Sequence, residues 1–398
     1  MTHPTRVSPV DHRNLSPRQT VVSAKMGKFG TPDASNLMRT MLNYPEFARS
    51  IGRLSTRVTL TTSLPSRLYQ LACMRTVWLC DSEYLWARHR DECLALGITE
   101  DELHQVALGP VTGTLQGLDR LIIEAVDEMH YTHYLWDGKW TGFDRFGPNA
   151  VMDVMSTYGF YVTMAAFCNS TGVALEDGFA GWSPALLSLK AADQTGHKPP
   201  QPGTPLPGRV TEADYAALTP EQQEQANRMG RRGLPSTSKL QKCMINYVDF
   251  LKAIAPFGKR AIDDTSLPPR VWQLACMRTV WLCDSEYLWS QHRKACLKLG
   301  VTDEDLLGVA EGPRSTRLNG FDRVVVAAID ELYYQNRLSD AHWGQFDQFG
   351  PEGVTDLMLV YGLYIIQSCV ARNFGTTLEP NSLGYLPELE PLRAGQQR

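Results

Sequence analysis

A stretch of 19 residues occurs twice in this chain, and no fold that cannot be built twice is compatible with it. LACMRTVWLCDSEYLWARH, from Leu71 to His89, returns as LACMRTVWLCDSEYLWSQH from Leu274 to His292, with 17 of the 19 positions identical. The offset of 203 residues continues outside that stretch without a gap: Asn43-Tyr44 match Asn246-Tyr247, Asp119-Arg120 match Asp322-Arg323, and Asp127-Glu128 match Asp330-Glu331. Trp140 matches Trp343, Gly147-Pro148 match Gly350-Pro351, and Tyr158-Gly159 match Tyr361-Gly362. Repetition at a fixed period outranks any single motif as evidence of architecture.

The repeat predicts two copies, residues 32–178 and 236–381, flanked by polar tails at 1–31 and 382–398. The segment 179–235 contains HKPPQPGTPLPGR, an extended linker by composition, and a short polar helix over Thr219 to Arg231. Tails and linker are expected to carry no chemistry. Two like domains on one chain can pack about a pseudo-twofold axis, and such a pair could also seed a homo-oligomer.

Each copy reads as helical. In copy one, Leu37, Met41, Leu42, Phe47, Ile51 and Leu54 recur at helical spacing over Asn36 to Leu54. A long helix is expected from Ser66 to Leu96, closed by Gly97. Thr99 with Glu102, and Thr302 with Asp305, carry the capping-box signature of a helix start. Further helices are expected at Leu118 to His133, Asp137 to Phe146 and Asn149 to Thr171. No segment reads as a strand, so the expected class is all-α.

Composition removes several functions. A net charge of −4 without Lys or Arg clusters gives a nucleic acid or an anionic membrane no electrostatic hold. The amino terminus lacks the apolar run of a secretory signal and no stretch looks apolar enough to span a bilayer, so a cytoplasmic protein is expected. Nine cysteines, an odd number without a CxxC pair, point to reduced packed thiols rather than disulfides or zinc. His130 and His133 have HxxH spacing, but Tyr333 and Asn336 stand there in copy two, which argues against a metal.

The chemistry-bearing residues kept twice are Arg75, Ser82 and His89, and Arg278, Ser285 and His292. On one straight helix their spacing of seven holds each set near one face beside Trp78 and Trp86. Seven residues of helix separate serine and histidine by roughly 10 Å, too far for a nucleophile and its base. His89 and His292 are candidate proton carriers, with Ser82 and Ser285 as hydrogen-bond donors. Arg75 and Arg278 could meet an anion, and Trp86, Trp289, Tyr158 and Tyr361 could line a pocket or fill the core. Glu83 and Glu286 are expected to pair structurally; Asp127, Glu128, Asp330 and Glu331 could lend a carboxylate or cap and pair.

SEYLWARH, with LPSRLYQLACMRT upstream and ALGIT downstream, resembles the carboxymuconolactone decarboxylase and alkylhydroperoxidase AhpD-like family. EAVDEMH at Glu124 to His130, WTGFDRFG at Trp140 to Gly147 and YGFY at Tyr158 to Tyr161 resemble its second half. The resemblance implies two tandem AhpD-like helical domains. Its peroxidase branch uses a glutamate, two cysteines and a histidine; here those positions hold Gln70, Ser82, Leu85 and His89, and in copy two Gln273, Ser285, Leu288 and His292. Serine cannot cycle through sulfenate and disulfide, so thiol peroxidase chemistry has no nucleophile at those positions. The decarboxylase branch implies cofactor-free acid–base chemistry on a small organic substrate, by decarboxylation, isomerisation or cyclisation, in the manner of specialised metabolism. The rival expectation is a binding or scaffold protein that keeps the family frame.

Overall fold

The computed structural model describes residues 4–25, 31–193, 207–229 and 238–396, and among these no residue lies in a strand. The first half contains α1 (Pro17–Lys25), α2 (Asn36–Met41), α3 (Pro45–Leu60), α4 (Ser66–Leu79), α5 (Glu83–Ala95), α6 (Glu100–Thr112), α7 (Gly117–Thr132), α8 (Asp137–Gly142), α9 (Ala150–Thr171) and α10 (Pro184–Asp193). The second contains α11 (Pro220–Met229), α12 (Lys239–Met244), α13 (Val248–Ile262), α14 (Pro269–Leu282), α15 (Glu286–Lys298), α16 (Asp303–Glu311), α17 (Gly320–Gln335), α18 (Asp340–Trp343), α19 (Gly353–Asn373) and α20 (Glu390–Gln396). The linker helix expected over Thr219 to Arg231 is α11; residues 230–231 lie outside the described residues.

Local chemistry explains most boundaries. Both capping boxes form: Thr99 Oγ1 accepts from the Glu102 amide while the Glu102 carboxylate accepts from the Thr99 amide, and Thr302 with Asp305 does the same. The helix expected over Asn36 to Leu54 is divided, because Pro45 begins α3 at a position where its missing N–H costs nothing. Phe47, Ile51, Leu54 and Val58 then form one buried stripe along α3.

The expected single helix from Ser66 to Leu96 is also divided. Asp81 takes a left-handed conformation (φ 52°), as does Asp284 (φ 48°), and Ser82 and Ser285 stand at the N-caps of the next helices. Aspartate enters this region at low cost, and here a cation meets each carboxylate: Lys190 Nζ lies 3.1 Å from Asp81, and Arg372 Nη1 lies 2.9 Å from Asp284. Arg75 and His89 therefore sit on different helices, not on one face of the same helix.

The centre of the molecule is the packing of α9 against α19, with α3 against α13 beside it. All 22 residues of α9 are buried. α19 is long and apolar enough to cross a membrane by length and composition, which corrects the sequence expectation, yet nearly all of it is enclosed by other helices. Close approach depends on two glycines at equivalent positions. A Cβ on Gly159 would overlap Ile366, and one on Gly362 would overlap Thr163, the residue equivalent to Ile366.

Equivalent contacts extend beyond the edges read from sequence. Arg6 bonds Asp340 (Nε to Oδ1, 2.9 Å) and lies over the Trp343 ring, while Arg209 bonds Asp137 (2.5 Å) and lies over Trp140. Each arginine thus holds the opposite copy, at the same offset of 203. Past the other edge, Lys190 covers Trp182 and Arg393 covers Tyr385 in matched positions. Matched contacts run from Arg6 to Lys190 and from Arg209 to Arg393, so parts of the expected tails and linker are structural.

Substituting Gly159→Val or Gly362→Val should destabilise the protein by about 1–3 kcal/mol or more through overpacking between α9 and α19. Gly138→Ala, whose added methyl meets nothing within 4 Å, should leave the midpoint unchanged or slightly raised. Urea unfolding followed by helical circular dichroism checks both.

Candidate functional site

His89 projects from α5 toward Gln70 on α4 and Tyr161 on α9. Its Nδ1 is 3.0 Å from Gln70 Oε1 and its Nε2 is 3.0 Å from Tyr161 Oη, with the two rings edge to face at 5.1 Å. Gln70 Nε2 donates to Glu92 Oε2 at 2.8 Å, and that carboxylate oxygen is also 3.4 Å from His89 Nδ1. Tyr161 Oη in turn bonds the Tyr69 hydroxyl.

These contacts give the network a direction. A carboxylate can only accept, so Glu92 fixes the Gln70 amide with its oxygen toward the imidazole. The histidine then donates from Nδ1, and in the neutral imidazole Nε2 is the acceptor for the Tyr161 O–H. Tyr161 in turn accepts from Tyr69. Hydrogen bonding to His89 holds the Glu92 carboxyl down at about 2, while burial pushes the Tyr161 and Tyr69 phenols up. Both phenols therefore stay protonated at neutral pH.

Copy two keeps half of this arrangement. His292 Nε2 is 2.9 Å from Tyr364 Oη, but its Nδ1 is buried without a hydrogen-bonding partner. Ala295 replaces Glu92, and Gln273 Oε1 instead meets the Cys296 thiol at 3.5 Å. Trp272 replaces Tyr69 and sends its indole N–H to the Ala261 carbonyl at 2.5 Å. Burial pushes the His292 pKa down to about 4.

The other residues singled out from sequence lie elsewhere. Arg75 is buried, its Nε and Nη2 on the two Asp127 oxygens at 2.6 and 2.8 Å and its Nη1 on the Val106 and Ala107 carbonyls. Arg278 is held likewise by Asp330, Val309 and Ala310. A Cβ on Gly109 would collide with Arg75, and the kink at this left-handed glycine is what admits the guanidinium. Asp127 and Asp330 are thus used in structural pairs. Glu128 and Glu331 accept from the Trp136 and Ser339 amides.

Ser82 and Ser285 are buried at the helix junctions, each hydroxyl oxygen without a hydrogen-bonding partner, and no hydrogen bond joins either to its histidine. Trp86 packs at a tilt against Trp78 and Trp182 at ring separations of 5.6 and 5.2 Å; Trp289 packs likewise against Trp281 and Tyr385, each at 5.5 Å. Glu83 receives the Trp182 amide at 2.8 Å. Tyr158 and Tyr361 are buried on α9 and α19, and the Tyr158 ring lies 6.2 Å from His130. Of the expected site residues, only the histidines bond the tyrosine hydroxyls of α9 and α19. Glu92 was missed, though it stood three residues past His89, a spacing at which helix side chains meet; Tyr161, expected as a core or pocket-lining aromatic, is a hydrogen-bonding partner of the histidine.

All nine cysteines are free and buried. Burial raises each thiol pKa, so none is prepared as a thiolate. Among the described residues, no group of three or more His, Cys, Asp and Glu could hold a metal ion.

The carboxymuconolactone decarboxylase family model matches residues 249–328, from α13 into α17 and including Gln273, Ser285 and His292. No curated protein and no solved structure matches the chain.

Burial pushes His130 and His292 down to about 4 and His133 to about 3, so all three are neutral when folded, whereas an unfolded histidine takes up its proton near pH 6.5. The unfolded state therefore binds more protons as pH falls from about 6.5 to about 4, and stability should drop through that window by up to about 1.4 kcal/mol per pH unit for each group. His133→Asn, which installs the residue that Asn336 supplies at the equivalent left-handed position, should make urea midpoints fall less between pH 7 and 4.5.

Proposed function

We propose that this chain is a cofactor-independent lyase or isomerase in which a histidine moves a proton as an enolate forms and is reprotonated. The observation that carries this reading is the His89 imidazole, with Nδ1 committed to Gln70 and Nε2 facing a tyrosine hydroxyl. The match to the carboxymuconolactone decarboxylase family over residues 249–328 supports the reaction class. A small carboxylated substrate with an acidic carbon beside a carbonyl suits the proposal, as a specialised-metabolism intermediate would.

In this mechanism the Tyr161 hydroxyl turns from His89 to the substrate carbonyl oxygen and donates to it. Nε2 is thereby released to take the proton from the neighbouring carbon. Decarboxylation would proceed from the same pose: Nε2 takes the proton of the substrate carboxyl, the pair of the breaking carbon–carbon bond enters the enolate as CO2 leaves, and His89 returns that proton to carbon. Within this reading Arg75, Arg278, Trp86, Trp289, Tyr158 and Tyr361 hold the frame. Ser82 and Ser285, buried with unpaired hydroxyls, are among the polar groups still able to take a ligand. The two copies are read as a pseudo-twofold pair, supported by the matched Gly159 and Gly362 contacts and the crossed arms of Arg6 and Arg209.

The second reading, a binding or scaffold protein, is favoured by one observation: His292 is buried with an unpartnered Nδ1. The two readings separate by turnover. Carboxylated lactones and β-keto acids incubated with the protein in D2O should lose CO2 or gain deuterium, followed by mass spectrometry. His89→Gln with His292→Gln should reduce that by at least about 100-fold with helicity intact. Undiminished turnover in the double variant overturns the enzyme reading in favour of the scaffold.

A further inference from the structure

Seven side chains in copy one belong to the histidine network: Tyr69, Gln70, Cys73, His89, Glu92, Cys93 and Tyr161. At the offset of 203, five are unchanged in copy two and two are not, Tyr69 becoming Trp272 and Glu92 becoming Ala295. Both changes remove polar support from the imidazole. Ala295 cannot orient the Gln273 amide, whose oxygen meets Cys296 while His292 Nδ1 is left without a partner. Trp272 spends its only donor on the Ala261 carbonyl, so Tyr364 receives nothing comparable to the Tyr69 hydroxyl.

We infer that Glu92 and Tyr69 are positioning residues that confine proton transfer to copy one, and that copy two serves as its structural counterpart. This rests on the proposed acid–base reading. Glu92 acts through Gln70: it fixes the amide, which fixes the imidazole tautomer and leaves a lone pair on Nε2. Tyr69 acts through Tyr161, directing that hydroxyl's own proton toward His89. Without either, an imidazole retains the tyrosine contact but not one defined proton-accepting atom. The groups facing His89 are Gln70 and, on its own helix, Glu92, with Tyr161 and Tyr69 across the other edge. Arg88 adds a positive charge near Glu92.

The sister copy already tolerates the replacements, which makes Tyr69→Trp and Glu92→Ala variants that a fold of this kind accommodates. In the full chain labelled with 15N-histidine, His89 should show a single Nδ1–H tautomer that becomes mixed in Glu92→Ala. Ala295→Glu should impose that tautomer on His292. With a carboxylated lactone in D2O as probe, His89→Gln should abolish exchange or CO2 release while His292→Gln stays within about twofold of the parent protein. Glu92→Ala and Tyr69→Trp should lower kcat about tenfold with little change in KM, as expected for loss of one charge-assisted or ordering hydrogen bond.

A loss in His292→Gln as large as in His89→Gln overturns the confinement to copy one and leaves the acid–base reading standing. An unchanged His89 tautomer in Glu92→Ala overturns the positioning role whatever the turnover. If the double histidine variant keeps full turnover the acid–base reading fails, and with it the inference that depends on it.

Discussion

A guanidinium buried beneath a glycine kink fixes the geometry of each half. Arg75 reaches from α4 to the Asp127 carboxylate on α7 and the last carbonyls before the bend in α6, so one side chain sets the spacing of three helices. Both charges are nearly removed from water, a state tolerated because each of the three guanidinium nitrogens has an oxygen opposite it. Removing either partner alone would leave an isolated charge, a loss of about 3–5 kcal/mol in comparable buried pairs. α4 carries Tyr69 and Gln70 one or two turns before this arginine. The position of the histidine network thus follows from an ion pair that takes no part in it.

The sequence made the repeat, the helical class and both capping boxes legible, because each is written in local periodicity or in residues a few positions apart. The break at Asp81 was not. A left-handed aspartate within an otherwise good helical pattern becomes favourable when Lys190 arrives from more than 100 positions away, and Asp284 depends on Arg372 and Arg393 in the same manner. The arms were obscured for a related reason. Arg6 and Arg209 stand in polar, proline-containing sequence whose partners, Asp340 with Trp343 and Asp137 with Trp140, are known only once the chain is folded.

The site shows the same division. His89 was visible as a repeated titratable residue, and Gln70 as the position where the family resemblance places a glutamate. Their 3.0 Å contact joins two helices that the sequence had read as one. Tyr161 read only as a core or pocket-lining aromatic, since α9 is buried on every side and nothing local marks its hydroxyl as the histidine's partner. Arg75 looked like an anion site because charge on a mostly apolar helix suggests a ligand; its ligand is the protein's own aspartate. Ser82 and Leu85 are not thiols, and burial raises the thiols elsewhere, so no cysteine is prepared as a thiolate.

The crossed arms have a consequence for how such a chain can change over time. In a dimer of identical subunits every substitution appears at both sites, and dissociation on dilution punishes any loss of affinity. Here each half is clasped by a segment of the other on one covalent strand, so the partner's effective concentration is set by chain connectivity and not by expression level. Substitutions such as Trp272 and Ala295 can accumulate on one side alone, without diluting the assembly or touching its twin. On one chain the two halves are under no obligation to remain the same.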